Sequence, residues 1–404
     1  MGSALWAGIS GLNASSKELD VIANNIANVN TVGFKAGKTY FGDVLSQSLS
    51  GGSSGNLQVG RGVMVTDIAT QFGPGSFETT GNATDVSIDG DGFFMVDDTN
   101  GATYYTRAGA FHMDNEGYLV DTNGYRVQGY NLTGEASTTI DDIALANVQS
   151  EPKKTTTFSF GLNLNADEAT GETFNCSQTV YDSLGAAHTL NVEFTKGEDP
   201  GSWTFEVSLD GTPSATTGSF TFNGDGNIPD TQENIEITFD DEPLKGATIG
   251  IDNKVTWDIV GPSAPPITGY ASTSVIRSLS NDGYASGLLK SLSIDGDGKI
   301  NGFFTNGQTS DIAQLVLADF ENPWGLKKMG SNLFGETLTS GPAIKNVPGA
   351  SGMGEVKSNC LEMSNVDIAT EFINMITAQK AYQANARVIT TQDQVLTELM
   401  NIKR

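Results

Sequence analysis

Hydrophobic side chains recur every seven residues at the beginning of the chain. One column within residues 3–29 contains Leu5, Leu12, Leu19 and Ile26, and Ile9 belongs to the second column. This spacing predicts an amphipathic α-helix with coiled-coil character. Gly2, Gly8 and Gly11 each weaken the start of that helix by about 1 kcal/mol relative to alanine, so we expect it to form poorly in an isolated monomer.

The end of the chain repeats the pattern, with no Gly or Pro between residues 365 and 402. The main column contains Ile368, Met375, Tyr382, Ile389 and Leu396, and Phe372 stands in the second column. We expect a helix here that is capped by Ser364 or Asn365. The two helices are expected to pair and to leave apolar surface for other subunits, although packing of both on a globular body is an open alternative.

Between the helices, short apolar runs alternate with Asn-Gly and Asp-Gly turns, which predicts β structure. Seven runs in the inserted block suit a barrel or a sandwich, and a Gly/Ser-rich stretch at 46–62 predicts flexibility. The expected fold is multidomain α+β, with paired terminal helices and an outer β domain inserted into an inner one. The predicted domains are a helical core of 1–34 with 364–404, a linker at 35–70, an inner β domain of 71–145 with 285–363, and an outer β domain of 146–284.

Charge is distributed unevenly along the 404 residues. The net charge is −26, yet residues 1–35 and 365–404 each sum to zero, so the whole excess lies between them. The block 146–284 alone carries 20 acidic and 6 basic residues. A surface this acidic repels phosphate and argues against nucleic acid as a partner. Neutral ends and an acidic middle fit a molecule whose ends are packed together while its middle faces water.

Candidate chemistry is sparse. Cys176 and Cys360 lie far apart and outside any metal-binding spacing, so we expect two free, buried thiols and no zinc site. The two histidines, His112 and His188, lack a catalytic motif around them. No enzyme activity, cofactor or metal is predicted.

Three acidic turns resemble calcium loops only in part. Asp-Gly-Asp-Gly occurs at 89–92 and 295–298, and Asn223, Asp225 and Asn227 alternate in a third segment. All three lack the remaining ligands of a calcium loop, so hairpin turns are expected. No run of 18 apolar residues and no basic stretch with an apolar core occurs, so neither membrane insertion nor a cleaved signal peptide is predicted.

Both ends of the chain carry long motifs that resemble one known family. Residues 23–35 read ANNIANVNTVGFK and residues 364–389 read SNVDIATEFINMITAQKAYQANARVI. With DGDGFFMV at 89–96 and the segments 106–130 and 322–343, they resemble the rod and hook axial proteins of the bacterial flagellum. The signature positions are Asn24, Asn25, Asn28, Thr31, Gly33, Phe34 and Lys35.

The resemblance implies a subunit of a helical, extracellular tube. The insert at 146–284 favours a hook subunit, which acts as a universal joint and transmits torque, over a distal rod subunit. The implied partners are further copies of the chain, rod proteins, hook–filament junction proteins, the hook cap and the flagellar type III export apparatus. The apolar columns would form the seam between subunits. An extracellular β-rich adhesin is the alternative from another class.

Some hook proteins of this family are cross-linked between a cysteine-derived residue and a lysine of a neighbour. The resemblance implies that such a cysteine belongs in the β domain that contains Cys176. The segment 155–195 contains no lysine, which speaks against the link in this chain.

Overall fold

The computed structural model describes residues 2–44, 47–49, 57–132, 139–146, 148–229, 233–239, 244, 246–251, 253–259 and 266–402. The chain divides into two compact units. Unit 1 comprises Met1–Ala146, Leu292–Gly302 and Asp311–Arg404, and unit 2 comprises Asn147–Ser291 and Phe303–Ser310. The predicted fold class is confirmed, because paired terminal helices accompany a mainly-β body in which one β part is inserted into another.

The chain begins and ends with a long helix, and all the strands lie between these helices in the sequence. The elements up to residue 150 are α1 (Gly2–Ala27), β1 (Gly37–Asp43), β2 (Gln47–Leu49), β3 (Leu57–Val59), β4 (Val63–Thr70), β5 (Phe77–Thr79), β6 (Val86–Asp89), β7 (Phe93–Asp97), β8 (Thr103–Thr106), β9 (His112–Met113), β10 (Leu119–Val120), β11 (Arg126–Asn131), β12 (Ile140–Asp142) and β13 (Gln149–Ser150). The insert continues with β14 (Thr157–Asn163), β15 (Thr173–Tyr181), β16 (Ala187–Lys196), β17 (Ser202–Leu209), β18 (Thr212–Thr221), β19 (Ile235–Thr238), β20 (Lys254–Trp257), β21 (Ile267–Thr268) and β22 (Val275–Asn281). The remaining elements are β23 (Gly287–Ile294), β24 (Lys299–Phe304), β25 (Thr309–Leu315), β26 (Leu317–Asp319), a 3₁₀ turn (Pro323–Gly325), β27 (Lys327–Gly330), β28 (Leu333–Gly335), β29 (Ile344–Asn346), β30 (Glu355–Ser358), β31 (Cys360–Glu362) and α2 (Ile368–Ile402).

Asp367 caps α2, which corrects the predicted cap. Its carboxylate accepts the backbone N–H of Ala369 at 3.0 Å and the hydroxyl of Thr370 at 2.6 Å. The first of these bonds satisfies the backbone N–H of Ala369, which would otherwise have no partner at the start of the helix. Asn365 instead bonds to backbone groups of the β body, as described below.

The segment predicted as a linker contains an antiparallel pair of strands. β1 and β4 pair from Gly37 opposite Thr70 to Asp43 opposite Val63, and β2 pairs with β3 beyond them. The prediction gave weight to the Gly and Ser residues at the tip and overlooked the β-branched residues of Val63–Thr70, which favour a strand. Residues 45–46 and 50–56 of the predicted flexible stretch lie outside the described residues.

Unit 1 is built around an antiparallel sheet in the order β25-β11-β7-β8-β28-β27. One face of the sheet buries an aromatic cluster that contains Phe93, Tyr105, Phe320 and Phe334. The rings of Phe93 and Phe334 lie 5.7 Å apart and those of Tyr105 and Phe320 lie 4.8 Å apart, in edge-to-face arrangements that add to the burial energy. These rings form the hydrophobic core on this face of the sheet.

Unit 2 contains two sheets that share one hydrophobic core. β15, β16, β17 and β18 form a four-stranded antiparallel meander. In the second sheet β14 pairs with β22 along one edge and with β20 and β21 along the other. The ring of Trp257 in the second sheet contacts Phe205 of the meander at 5.2 Å, edge to face. Alternate residues of the meander are buried, as the predicted strand runs of the insert require. This matches the predicted barrel or sandwich, in its sandwich form.

His188 is buried between two carboxylates of unit 2. Its Nδ1 lies 2.7 Å from Asp210 Oδ2, and its Nε2 lies 3.3 Å from Asp182 Oδ2. Burial alone would lower the pKa of His188, but the hydrogen bonds and charges of Asp210 and Asp182 outweigh it, and the pKa is raised. The imidazolium thus joins two turns at one end of the meander.

This arrangement predicts that unit 2 loses stability as the pH rises. Because the folded-state pKa of His188 lies above its unfolded value, its contribution is complete below about pH 6.5 and disappears as the pH passes the raised value. Hydrogen exchange of β16 and β17 should show protection falling over this range. His188→Gln should abolish that fall, and His112→Gln, at an exposed histidine, should retain it. An unchanged pH profile in His188→Gln would contradict the assignment.

Candidate assembly site at the terminal helices

The two terminal helices lie side by side in antiparallel orientation. A Cβ added to Gly8 would lie 3.1 Å from Ile389 Cγ1, and one added to Gly11 would lie 2.7 Å from the side chain of Asn385. Small residues at these positions let α2 approach the α1 backbone closely. Gly8 and Gly11, which the sequence marks only as weak helix formers, therefore have a packing role as well.

The centre of this helix pair does not coincide with the predicted apolar columns. Buried on α1 are Gly8, Gly11, Ala14, Ser15, Ile22 and Asn25, and on α2 only Ala378 is fully buried among the described residues. Half-buried among the predicted positions are Leu5, Ile9, Leu12, Leu19, Ile26, Met375 and Ile389. Exposed among them are Ile368, Phe372, Tyr382 and Leu396. Small and polar residues thus fill the centre, and the large apolar side chains lie at its flanks or face outward.

The signature segment after α1 ties that helix to the β body. Asn25, buried at the end of α1, donates to the carbonyl of Gly37 at 2.8 Å and accepts its N–H at 2.9 Å. Gly33 has φ +67, and a Cβ there would lie 2.5 Å from the backbone nitrogen of Ala108, so only glycine fits. Of the other signature residues, Asn28 donates to the carbonyl of Asn24 and accepts the hydroxyl of Thr31 just after the end of α1.

Lys35 leads into a buried ionic cluster. Its Nζ contacts Glu362 Oε1 at 2.5 Å and donates to the carbonyl of Gly73 at 3.0 Å. The guanidinium of Arg107 approaches the other oxygen of Glu362 at 3.6 Å and lies over the ring of Phe93. The side chains of Lys35 and Glu362 are fully buried and that of Arg107 nearly so. Three distant parts of the sequence therefore meet at one carboxylate.

Burial governs the electrostatics of this cluster. Desolvation lowers the pKa of the Lys35 ammonium, while the charge and hydrogen bond of Glu362 act in the opposite direction. Desolvation likewise lowers the pKa of Arg107. The stability of the cluster depends on Glu362, because its removal would leave the Lys35 ammonium without a carboxylate and Arg107 with only the charges of Asp91 and Asp319.

Asn365 completes the junction from the C-terminal side. Its side chain accepts the N–H of Ala36 at 2.8 Å and donates to the carbonyls of Gln71 and Gly73 at 2.8 and 3.0 Å. The signature loop and the segment before α2 are thus joined directly. The sequence analysis did not identify Glu362, Arg107 and Asn365 as partners. For Glu362 the available signal was a carboxylate in the otherwise apolar strand Cys360–Glu362.

Family models match the chain in four places. They are described as Flagella basal body rod protein (residues 5–35), Flagellar hook protein FlgE/F/G D1 domain (87–161), Flagellar basal body protein FlaE D2 domain (147–284) and Flagellar basal body rod FlgEFG protein C-terminal (357–402). The first and last include Lys35 and Glu362.

Full-length relatives decide between the members of this group. Flagellar hook protein FlgE of Borreliella burgdorferi is 35% identical, with 99% of each chain covered. That of Salmonella typhimurium is 36% identical, with 98% of each chain covered. The chain belongs to the flagellar hook protein FlgE family. A crystal structure of Helicobacter pylori flagellar hook protein FlgE2 is 14% identical with a TM-score of 0.47, covering 71% of this chain and 100% of that one.

As an FlgE family member, the chain is a structural subunit of the bacterial flagellar hook, and the predicted hook assignment is confirmed. Neither α1 nor α2, among the described residues, is long and apolar enough to cross a membrane.

The acidic motifs lie in turns, where Gly90, Gly92 and Gly298 have positive φ, and Asn223 accepts backbone N–H groups of its own turn.

Cys176 of this FlgE family member lies in the core of unit 2. Its side chain is completely buried and unpaired, and desolvation raises the pKa of the thiol to about 11. A thiolate is the reactive form of cysteine, so this environment opposes the cross-link that the family resemblance suggested. Cys360 is also buried and unpaired, with its sulfur 2.9 Å from Ser87 Oγ.

The packing of the hook protein's terminal helices predicts that larger side chains at the glycines are harmful. Gly8→Leu and Gly11→Leu together should lower helicity in circular dichroism, although Leu forms helices better than Gly by roughly 0.8–1 kcal/mol per residue. The reason is that the added side chains would force α2 away. Ala4→Leu, at an exposed position of α1, is the control and should leave helicity nearly unchanged, because Leu forms helices almost as well as Ala. Higher helicity in the double variant would contradict this packing.

The ionic cluster predicts an asymmetry between its members. Glu362→Gln should destabilise unit 1 by about 3–5 kcal/mol, because two buried cations lose their counter-charge. Lys35→Met leaves the Arg107–Glu362 pair and should cost about 1–3 kcal/mol. Hydrogen exchange over residues 355–366 measures the effect, and β16 and β17 of unit 2 serve as the internal control. Equal losses in the two variants would show that the carboxylate is not the central group.

Proposed function

We propose that this chain polymerises with copies of itself into a flexible tube in which the terminal helices form the inner layer. The observation that carries the proposal is the apolar surface that α2 leaves uncovered. Exposed large apolar side chains continue along the helix, at Phe372, Ile373, Ile376, Val388, Val395, Leu396, Leu399 and Met400. Apolar surface on this scale is typical of an interaction site. The predicted columns would form the seam between subunits.

The register of the helix pair supports the same proposal. Gly8 lies opposite Ile389 and Gly11 opposite Asn385, so α2 continues past the start of α1. The last turns of α2, with Leu399 and Met400, therefore have no place on α1 to pack. Helices of neighbouring copies are the natural cover, because the terminal segments carry no net charge and do not repel one another.

The remaining domains would bend and carry load. We propose that segment 35–70 joins the helical core to the inner β domain of 71–145 with 285–363, and that 146–284 forms the outer layer. The acidic outer surface makes neighbouring copies repel each other weakly, over a Debye length of about 8–10 Å at moderate salt. Contacts of this kind can shift as the tube curves while the core transmits torque from rod to filament.

The proposed partners and location follow from family membership. Rod proteins and hook–filament junction proteins would contact the two ends of the tube, and the hook cap would act during its growth. Export through the flagellar type III apparatus would deliver the chain to the cell exterior without a cleaved signal peptide. A structural subunit needs neither a catalytic site nor a cofactor for this role.

Deletion of residues 365–404 tests the seam. The truncated chain should form no tubes in electron microscopy, while β16 and β17 keep their hydrogen-exchange protection because unit 2 does not depend on α2. A point variant avoids the loss of the whole helix. Phe372→Ser with Ile376→Ser should also prevent assembly, whereas Ala381→Ser, at an exposed position outside both columns, should not. Normal tubes from either the truncation or the double variant would refute the proposed inner layer.

A further inference from the structure

A cavity of about 380 Å³ lies where α1, α2 and β1 meet, at the end of the helix pair that carries the signature loop. Three acidic residues line it, Glu18, Asp367 and Glu371, against one basic residue, Lys38. The Lys38 ammonium lies over the ring of Tyr40 at 5.6 Å and forms no ion pair with the described carboxylates. We call this site the acidic cavity.

Two carboxylates of the acidic cavity are partly buried without a counter-charge in the described part of the chain. Burial raises the pKa of Glu18. Burial, assisted by the charge of Asp367, also raises the pKa of Glu371 against the hydrogen bond from Asn25. The Oε2 atom of Glu371 is buried and has no hydrogen-bond partner among the described residues. A carboxylate held away from water gains most from a cation that is brought to it.

The two carboxylates are spaced along the axis of the helix pair. Asn25 of α1 bonds to Glu371 of α2, and the helices are antiparallel. Seven residues before Asn25, Glu18 therefore lies level with Ala378, seven residues after Glu371. At the rise of an α-helix this places the two carboxylates about 10 Å apart along the axis, or two turns.

The described helices also carry two cations without a carboxylate partner, Lys380 and Arg387, both exposed on α2. The other basic residue of these helices, Lys17, pairs with Asp20 at 3.7 Å. Lys380 and Arg387 are seven residues apart, so they stand on one face of α2 and are also about 10 Å apart along the axis. Ile376, one turn before Lys380, is exposed on the same side. The two cations thus belong to the surface proposed as the seam.

From this matched spacing we infer that Lys380 and Arg387 of one copy pair with the acidic cavity of a parallel neighbour. A shift of about nine residues, or about 14 Å along the axis, brings Lys380 to Glu371 and Arg387 to Glu18 at the same time. Copies that associate head to tail run parallel, so each offers its cations to one neighbour and its cavity to another. The inference rests on the proposed inner layer and adds the axial register of its helices.

The test measures the assembly of the full chain. Arg387→Glu should raise the critical concentration for tubes about tenfold, the equivalent of about 1.4 kcal/mol, and adding Glu18→Lys should restore it. Lys380→Glu should act in the same way and be restored by Glu371→Lys. Lys290→Glu, at an exposed lysine of unit 2, makes the same charge change and should leave the critical concentration unchanged. Circular dichroism confirms that each variant keeps the helicity of the parent.

Failure of this inference can be told apart from failure of the proposed function. If the parent chain forms tubes and the two cation variants match it, the register is wrong while the inner layer stands. The same holds if the folded double variants give no rescue, or if Glu18→Lys rescues Lys380→Glu as well as it rescues Arg387→Glu. A parent chain that forms no tubes would overturn the inner layer itself.

A cross-link decides without any variant. Carbodiimide joins a lysine directly to a carboxylate that it contacts. When isotope-labelled and unlabelled parent chains are assembled together, mass spectrometry should find an intermolecular link from Lys380 to Glu371. Absence of this link, or links from Lys380 to carboxylates outside the acidic cavity instead, would overturn the inference.

Discussion

One buried carboxylate holds the two ends of this chain to its β body. Glu362 compensates the charges of Lys35 and Arg107 in a place that water does not reach. Desolvated charges are unfavourable unless they are paired, so the segments that carry Lys35, Arg107 and Glu362 must become buried together. This cluster fixes the positions of α1, of α2 and of the signature loop after α1. The side-chain hydrogen bonds of Asn25 and Asn365 add to it.

The helix pair illustrates how close packing and assembly divide the surface of a helix. Glycine and small polar residues fill the space between α1 and α2, which brings the backbones together. The large apolar residues are thereby left free at the flanks. A subunit whose helices buried all their leucines and isoleucines internally would be a more stable monomer and a poorer building block.

Some of this structure could be predicted from the sequence and some could not. The seven-residue spacing located both helices to within a few residues, and the alternation of apolar residues located the strands of the insert. The same spacing does not identify the contact between α1 and α2, because a heptad argument counts large apolar residues and Gly8, Gly11 and Asn385 are not among them. The cap at Asp367 was missed because Ser364 and Asn365, just before it, are also common cap residues. The hairpin of β1 and β4 was missed because the Gly and Ser residues at its tip suggested a flexible segment. The Glu362 cluster joins residues 327 positions apart, and no local pattern encodes such a pairing.

The separation of those residues along the chain has a kinetic consequence. The packing of α1 and of the loop after it cannot be completed until residues 362–402 are present, because α2 and the counter-charge of Lys35 both lie there. Contacts between such distant residues carry a large loop-closure cost and form slowly. Unit 2 includes neither terminal helix and neither chain end, so it can fold while the ends are still unstructured. A chain that emerges from a narrow channel would therefore fold its terminal helices last, at the place where they assemble.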